Sequence, residues 1–102
     1  EVDEMMRAFN ERRKFIVKRF ETISNISCLM PEGAFYAFPN IKKLGLSSKY
    51  IADQLLEKEG VALISGTDFG DYGEGYIRLS FANSLDKISE ACHRIEKFAN
   101  EL

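Results

Sequence analysis

Residues 76–81, Tyr-Ile-Arg-Leu-Ser-Phe, constrain this chain more than any other segment. Ile77, Leu79 and Phe81 alternate with Tyr76, Arg78 and Ser80, the two-residue period of a strand that lays one face on a core. That alternation turns the guanidinium of Arg78 away from the core residues. Its same-face neighbours Tyr76 and Ser80 are neutral, and a partly buried guanidinium left alone is strongly disfavoured, so a partner must come from elsewhere. Two partners stand open. One is a structural carboxylate; the other is an anionic ligand, for which arginine is suited because its planar fork holds a carboxylate through two parallel hydrogen bonds and never deprotonates.

The segments around this strand predict a layered α+β domain. From residue 2 to about residue 23, Val2, Met5, Met6, Phe9, Ile16, Phe20 and Ile23 recur at three- and four-residue steps, the period of one helix face, and Asn25 is a natural left-handed stop. The helix starts at residue 1 without capping chemistry, which predicts that it continues a longer chain. Pro31-Glu32-Gly33 reads as a turn into a strand over 34–38, closed by Pro39. Ser47 or Ser48 caps a helix to about Glu59 with Ile51, Ala52, Leu55 and Leu56 on its apolar face and Gly60 as its stop. A short strand over 61–64 follows, then a glycine-rich loop over 66–75. After the arginine strand, Ser84 caps a last helix whose stripe is Leu85, Ile88, Cys92, Ile95, Ala99 and Leu102. The result is a small, mainly antiparallel three-stranded sheet with helices packed on one face. Its strands are apolar on both faces, so the second face is expected to meet other protein.

Composition excludes several functions. A chain of 102 residues with net charge −2 is sized for one domain and carries no basic footprint for nucleic acid or anionic membrane. No apolar stretch approaches the roughly 18 residues of a membrane span. Cys28 and Cys92 lie far apart without metal-ligand spacing, which predicts reduced thiols and a cytoplasmic protein. Gly66, Gly70, Gly73 and Gly75 do not form a phosphate cradle, since a strand follows them where a helix is needed and Asp68, Asp71 and Glu74 would repel phosphate. Ser84-Leu85-Asp86-Lys87 has Ser-x-x-Lys spacing, but Ser84 is accounted for as a helix cap. His93 falls on the polar side of the last helix with no companion ligand or nucleophile, and Lys49 in Ser47-Ser48-Lys49 reads as the exposed first turn of a helix.

Three segments carry a family resemblance: Pro31-Glu32-Gly33-Ala34-Phe35-Tyr36; Val61-Ala62-Leu63-Ile64-Ser65-Gly66 with Phe69-Gly70; and Gly73-Glu74-Gly75-Tyr76-Ile77-Arg78-Leu79-Ser80-Phe81-Ala82. Together they resemble the C-terminal small domain of class I/II, fold-type I, pyridoxal-phosphate-dependent aminotransferases, most like the bacterial aspartate aminotransferase type. The resemblance covers the whole chain, residues 1–102.

The resemblance implies that Arg78 binds the α-carboxylate of an amino-acid or 2-oxo-acid substrate and that Gly33 and Phe69 line the cleft near it. It also implies a homodimer, a separate large domain holding pyridoxal 5′-phosphate, and transfer of an amino group. The Schiff-base lysine belongs to that large domain, so the chain by itself is expected to be inactive. Ser65 departs from the family's usual proline, which questions the rigidity of that turn. A reading from another class is a stand-alone module that holds an anionic metabolite or a partner protein on the Arg78 face, and it requires a polar second face.

Overall fold

The computed structural model describes residues 2–29, 36–82 and 84–102. Helix α1 spans Val2–Glu21, with Asp3 and Glu4 at its positive end and Lys18 and Arg19 at its negative end. The Thr22 hydroxyl donates to the Arg19 carbonyl at 2.6 Å at the helix end; Asn25, expected as the stop, takes φ 70° four residues beyond Glu21, in the turn that follows. Helix α2, Ser48–Glu59, is capped by Ser47, whose hydroxyl accepts from the Tyr50 N–H, and it closes at Gly60 with φ 70°. Helix α3, Leu85–Asn100, is capped by Ser84 accepting from the Lys87 N–H.

Strands β1 (Tyr36–Ala37), β2 (Ile64–Ser65) and β3 (Ile77–Ser80) form a sheet in the order β1-β3-β2, with both pairings antiparallel. The register sets Tyr36 opposite Ser80 and Ile64 opposite Arg78. Ala37, Ser65, Ile77 and Leu79 are buried toward the helices, in or beside a core that includes Phe9, Ile16, Phe20, Ile51, Leu55, Phe81, Ile88, Cys92 and Ile95. Tyr36, Ile64, Arg78 and Ser80 share the open face. The expected α+β layering, with helices on one side of the sheet, is the observed one.

Several sequence expectations are corrected. Met5 and Met6 are 67% and 52% exposed, because α1 runs past the core before Phe9 begins to pack on Phe81 at a ring separation of 5.8 Å. Leu56 and Leu102 are exposed as well, whereas Phe98 joins the core. The second strand is Ile64–Ser65 rather than 61–64: Val61 is held by its N–H to the Leu55 carbonyl, finishing the end of α2 before pairing with β3 begins. The first strand covers Tyr36–Ala37; residues 31–35 lie outside the described residues, and Phe38 stands beyond the strand.

The loop over 66–75 is two tight 3₁₀ turns, Gly66–Phe69 and Asp71–Gly73. A Cβ built at Gly66 would collide with the Gly73 carbonyl, and one built at Gly73 would collide with the Gly66 carbonyl. The two backbones touch, and only glycine fits at either place. At Ser65, φ is −62°, the value proline would impose, and the side chain accepts from the Thr67 N–H at 3.2 Å while bonding the Thr67 hydroxyl at 2.7 Å. Hydrogen bonds thus hold the turn that a proline ring would hold covalently.

Ser48 is fully buried, and its hydroxyl is the hub of the next segment. It accepts from the Gly75 N–H at 2.7 Å and the Tyr76 N–H at 3.1 Å and donates to Glu74 Oε2 at 3.2 Å. The same carboxylate oxygen accepts from the Ser48 N–H at 2.9 Å, placing a negative charge at the start of α2, where the helix dipole favours it. Arg94 does the converse at the other end: it donates to the Glu59 carbonyl at 2.7 Å while bonding Glu90 at 2.9 Å. Arg19 of α1 pairs with Glu96 of α3 at 2.7 Å.

Three consequences are measurable. Gly66→Ala should lower unfolding stability by about 1–3 kcal/mol, because backbone rather than a flexible side chain must move; an unchanged urea midpoint would contradict the close approach. Ser48→Ala should cost about 1–3 kcal/mol by removing a buried hydroxyl that bonds two N–H groups and a carboxylate at once, again read from the urea midpoint. Burial pushes the Cys92 thiol up from its ordinary 9.0 to about 11. Between those values the native state keeps a proton that the unfolded chain releases, so this stabilisation is complete below pH 9 and fades as the pH rises toward 11. The stability gap between the wild type and Cys92→Ala should therefore narrow over that interval in urea titrations at stepped pH.

Candidate carboxylate-binding site

The open face of the sheet gathers one cation and four large apolar side chains. Tyr36, Phe38 and Phe69 are 41%, 48% and 56% exposed, and Ile64 lies beside them. Tyr36 is set diagonally to Arg78 across the β1–β3 pair, two residues along from its direct partner Ser80, which is within reach of an aromatic and a long side chain. Phe69 arrives from the opposite side, at the end of the 3₁₀ turn that the Gly66–Gly73 contact fixes.

These approaches converge on Arg78. Its guanidinium carbon lies over the Tyr36 ring, 4.2 Å from the centroid, and over the Phe69 ring, 4.6 Å from the centroid. Each ring offers its negative face to the cation. Phe38 meets Phe69 edge-on, with centroids 6.4 Å apart and an interplanar angle of 81°. Among the described residues no carboxylate lies within ion-pair distance of Arg78, and no protein acceptor takes a hydrogen bond from it. The structural ion pair considered from sequence is thus not found there. A polar second face, which the stand-alone module requires, is not found either.

Of the residues singled out in the sequence, Arg78 and Phe69 are brought together. Gly33 lies outside the described residues. Sequence reasoning missed Tyr36 and Phe38 as neighbours of Arg78. No local pattern marks them, because the pairing of β1 with β3 is long-range. Cys28 is half-buried and its thiol is pushed up to about 11 by burial, opposed by a hydrogen bond from the Phe38 backbone; it is no activated nucleophile. His93 is exposed, and among the described residues no group of metal-ligating side chains occurs. Among them, too, no helix is long and apolar enough to cross a membrane.

Lys49 stands on the exposed first turn of α2, 3.4 Å from Asp53, and Lys42 lies over the Tyr76 ring. Two surface clefts are elsewhere. One of about 310 Å³ runs between Val61, Leu79 and α3, with Arg94 already engaged on its wall; the other, of about 270 Å³, lies among Asn25, Ser27, Asn40 and Lys43. Neither is lined by Arg78.

Comparison with known proteins identifies the family. The family model described as aminotransferase class I and II matches residues 1–95. An aspartate aminotransferase of Pyrococcus horikoshii is 51% identical over 96 residues, covering 94% of this chain and 25% of the relative. The crystal structure of an aromatic aminotransferase from Pyrococcus horikoshii OT3 superposes with a TM-score of 0.92 at 39% identity, covering 98% of this chain and 26% of that one. A pyridoxal-phosphate-bound putative aminotransferase from Clostridium difficile 630 superposes with a TM-score of 0.89 at 28% identity, over 96% of this chain and 26% of that one. The chain spans about a quarter of the length of the proteins it matches. With a family model over nearly its whole length and a relative identical at half its positions, the chain belongs to the class I and II aminotransferase family.

Proposed function

We propose that the chain is the C-terminal small domain of a pyridoxal-phosphate-dependent aminotransferase of the aspartate aminotransferase type. In this reading the complete enzyme moves an amino group between an amino acid and a 2-oxo acid, and Arg78 holds the substrate α-carboxylate. The observation that carries the reading is the state of Arg78: a half-buried guanidinium covered by aromatic rings and, among the described residues, without an acidic partner. A planar carboxylate meets that group through two charge-assisted hydrogen bonds. Phe69 lines the same place, and Gly33 is assigned to the cleft by the motif it belongs to.

The exposed apolar side chains around Arg78 support an open face that turns toward a large domain, where the cofactor and its Schiff-base lysine would sit. No chemical step is assigned to residues of this chain, whose part is to bind and orient substrate. A homodimer and a cytoplasmic location belong to the same reading, the latter favoured by two free thiols whose burial keeps them protonated.

The decisive measurement is steady-state kinetics of the full-length enzyme. Arg78→Ala should lower kcat/KM by about 2–5 kcal/mol of transition-state stabilisation, the loss of a desolvated charge pair. Arg78→Lys should recover only part of it, since a point charge cannot form the two-pronged contact. An unchanged kcat/KM in Arg78→Ala would sink the assignment.

A further inference from the structure

A guanidinium on a strand has several rotatable bonds, and holding it ready for a ligand requires something that limits them. Ion pairs usually serve, yet among the described residues none reaches Arg78. Two rings take that place. Tyr36 and Phe69 each hold the guanidinium carbon over their faces, at 4.2 and 4.6 Å, and among the described residues no ring contact joins Tyr36 to Phe69. Both rings turn their faces to the one guanidinium.

We propose that Tyr36 is a positioning residue for the carboxylate grip, working with Phe69 to clamp the Arg78 guanidinium, and that Phe38 braces Phe69 by its edge contact. The inference rests on the reading of Arg78 as the α-carboxylate ligand. Its chemistry is the ring face of Tyr36, not the hydroxyl. A flat clamp admits a carboxylate in the guanidinium plane and keeps water off the faces, which strengthens the charge-assisted bonds formed at the edge. The brace has its own logic: Phe69 sits at the end of a one-turn 3₁₀ segment on the surface, and without Phe38 its ring would have rotamer freedom.

The test is a set of variants in the full-length enzyme, with aspartate and 2-oxoglutarate as probe substrates. Tyr36→Leu should raise KM for both by roughly three- to tenfold, the range expected for one cation–π contact, while kcat and the thermal midpoint stay near wild type. Tyr36→Phe keeps the ring and should behave as wild type. In an Arg78→Ala background, Tyr36→Leu should add no further loss, because the two residues act as one unit. Tyr36→Leu kinetics equal to wild type would overturn the inference. So would Tyr36→Phe as impaired as Tyr36→Leu, or additive losses in the double variant. If Arg78→Ala itself leaves kcat/KM unchanged, the assignment of Arg78 fails; if Arg78→Ala is impaired and Tyr36→Leu is not, the clamp alone fails.

Discussion

The hydroxyl of Ser48 accepts from two consecutive backbone N–H groups, those of Gly75 and Tyr76, and the arginine strand begins immediately after them. Other segments grip the same stretch. The Tyr76 carbonyl takes the Gly66 N–H at 2.8 Å, and the Gly75 carbonyl takes the Ile41 N–H at 2.8 Å. The backbone entering β3 is therefore fixed from the start of α2, from Ile41 beyond β1 and from the loop after β2. A strand slipped by one residue would send Arg78 into the core and Ile77 onto the open face. These hydrogen bonds forbid the slip, so the placement of the cation is a backbone property before it is a side-chain one.

The loop between β2 and β3 transmits the same constraint to Phe69. Gly66 and Gly73 lie backbone to backbone, and Ser65 ties itself to Thr67, so the turn that carries the phenyl ring has little room to shift. Glu74, which sequence alone suggests as a repeller of anions, is engaged by the N-terminal turn of α2. Its charge is spent on a helix end, on the segment leading into Arg78. On the opposite side of the sheet, α3 binds the other two helices through Arg94 at the Glu59 carbonyl and Glu96 at Arg19, which keeps the buried face of β3 covered.

Much of this was legible in the sequence, and the exceptions have a common cause. Ser84 and Gly60 mark helix ends through local chemistry, and each does so in the structure; of the two serines at 47 and 48, Ser47 is the cap. The alternation over 76–81 gave the orientation of Arg78 for the same reason. Periodicity identifies a face but not how far its partner extends, so Met5, Met6 and Leu102 satisfy the helical pattern and still lie in the open. The run over 61–64 is apolar throughout, and only pairing with β3 decides which of its residues are strand. Tyr36 beside Arg78, and Ser48 beside Gly75, are encounters between distant parts of the chain, for which a single sequence holds no local signal.

The strand order β1-β3-β2 bears on how the domain comes into being. The last strand in the chain is the central one, and the first two strands do not pair with each other. As the polypeptide leaves the ribosome, α2 can close locally through the Gly60 and Val61 N–H groups at its end, but β1 and β2 must wait, their edges unpaired, until residues 77–80 emerge. Non-local pairing of this kind slows folding and lengthens the time in which sticky edges are accessible. Among the described residues both waiting strands are short, Tyr36–Ala37 and Ile64–Ser65, and a short edge offers little for another nascent chain to pair with.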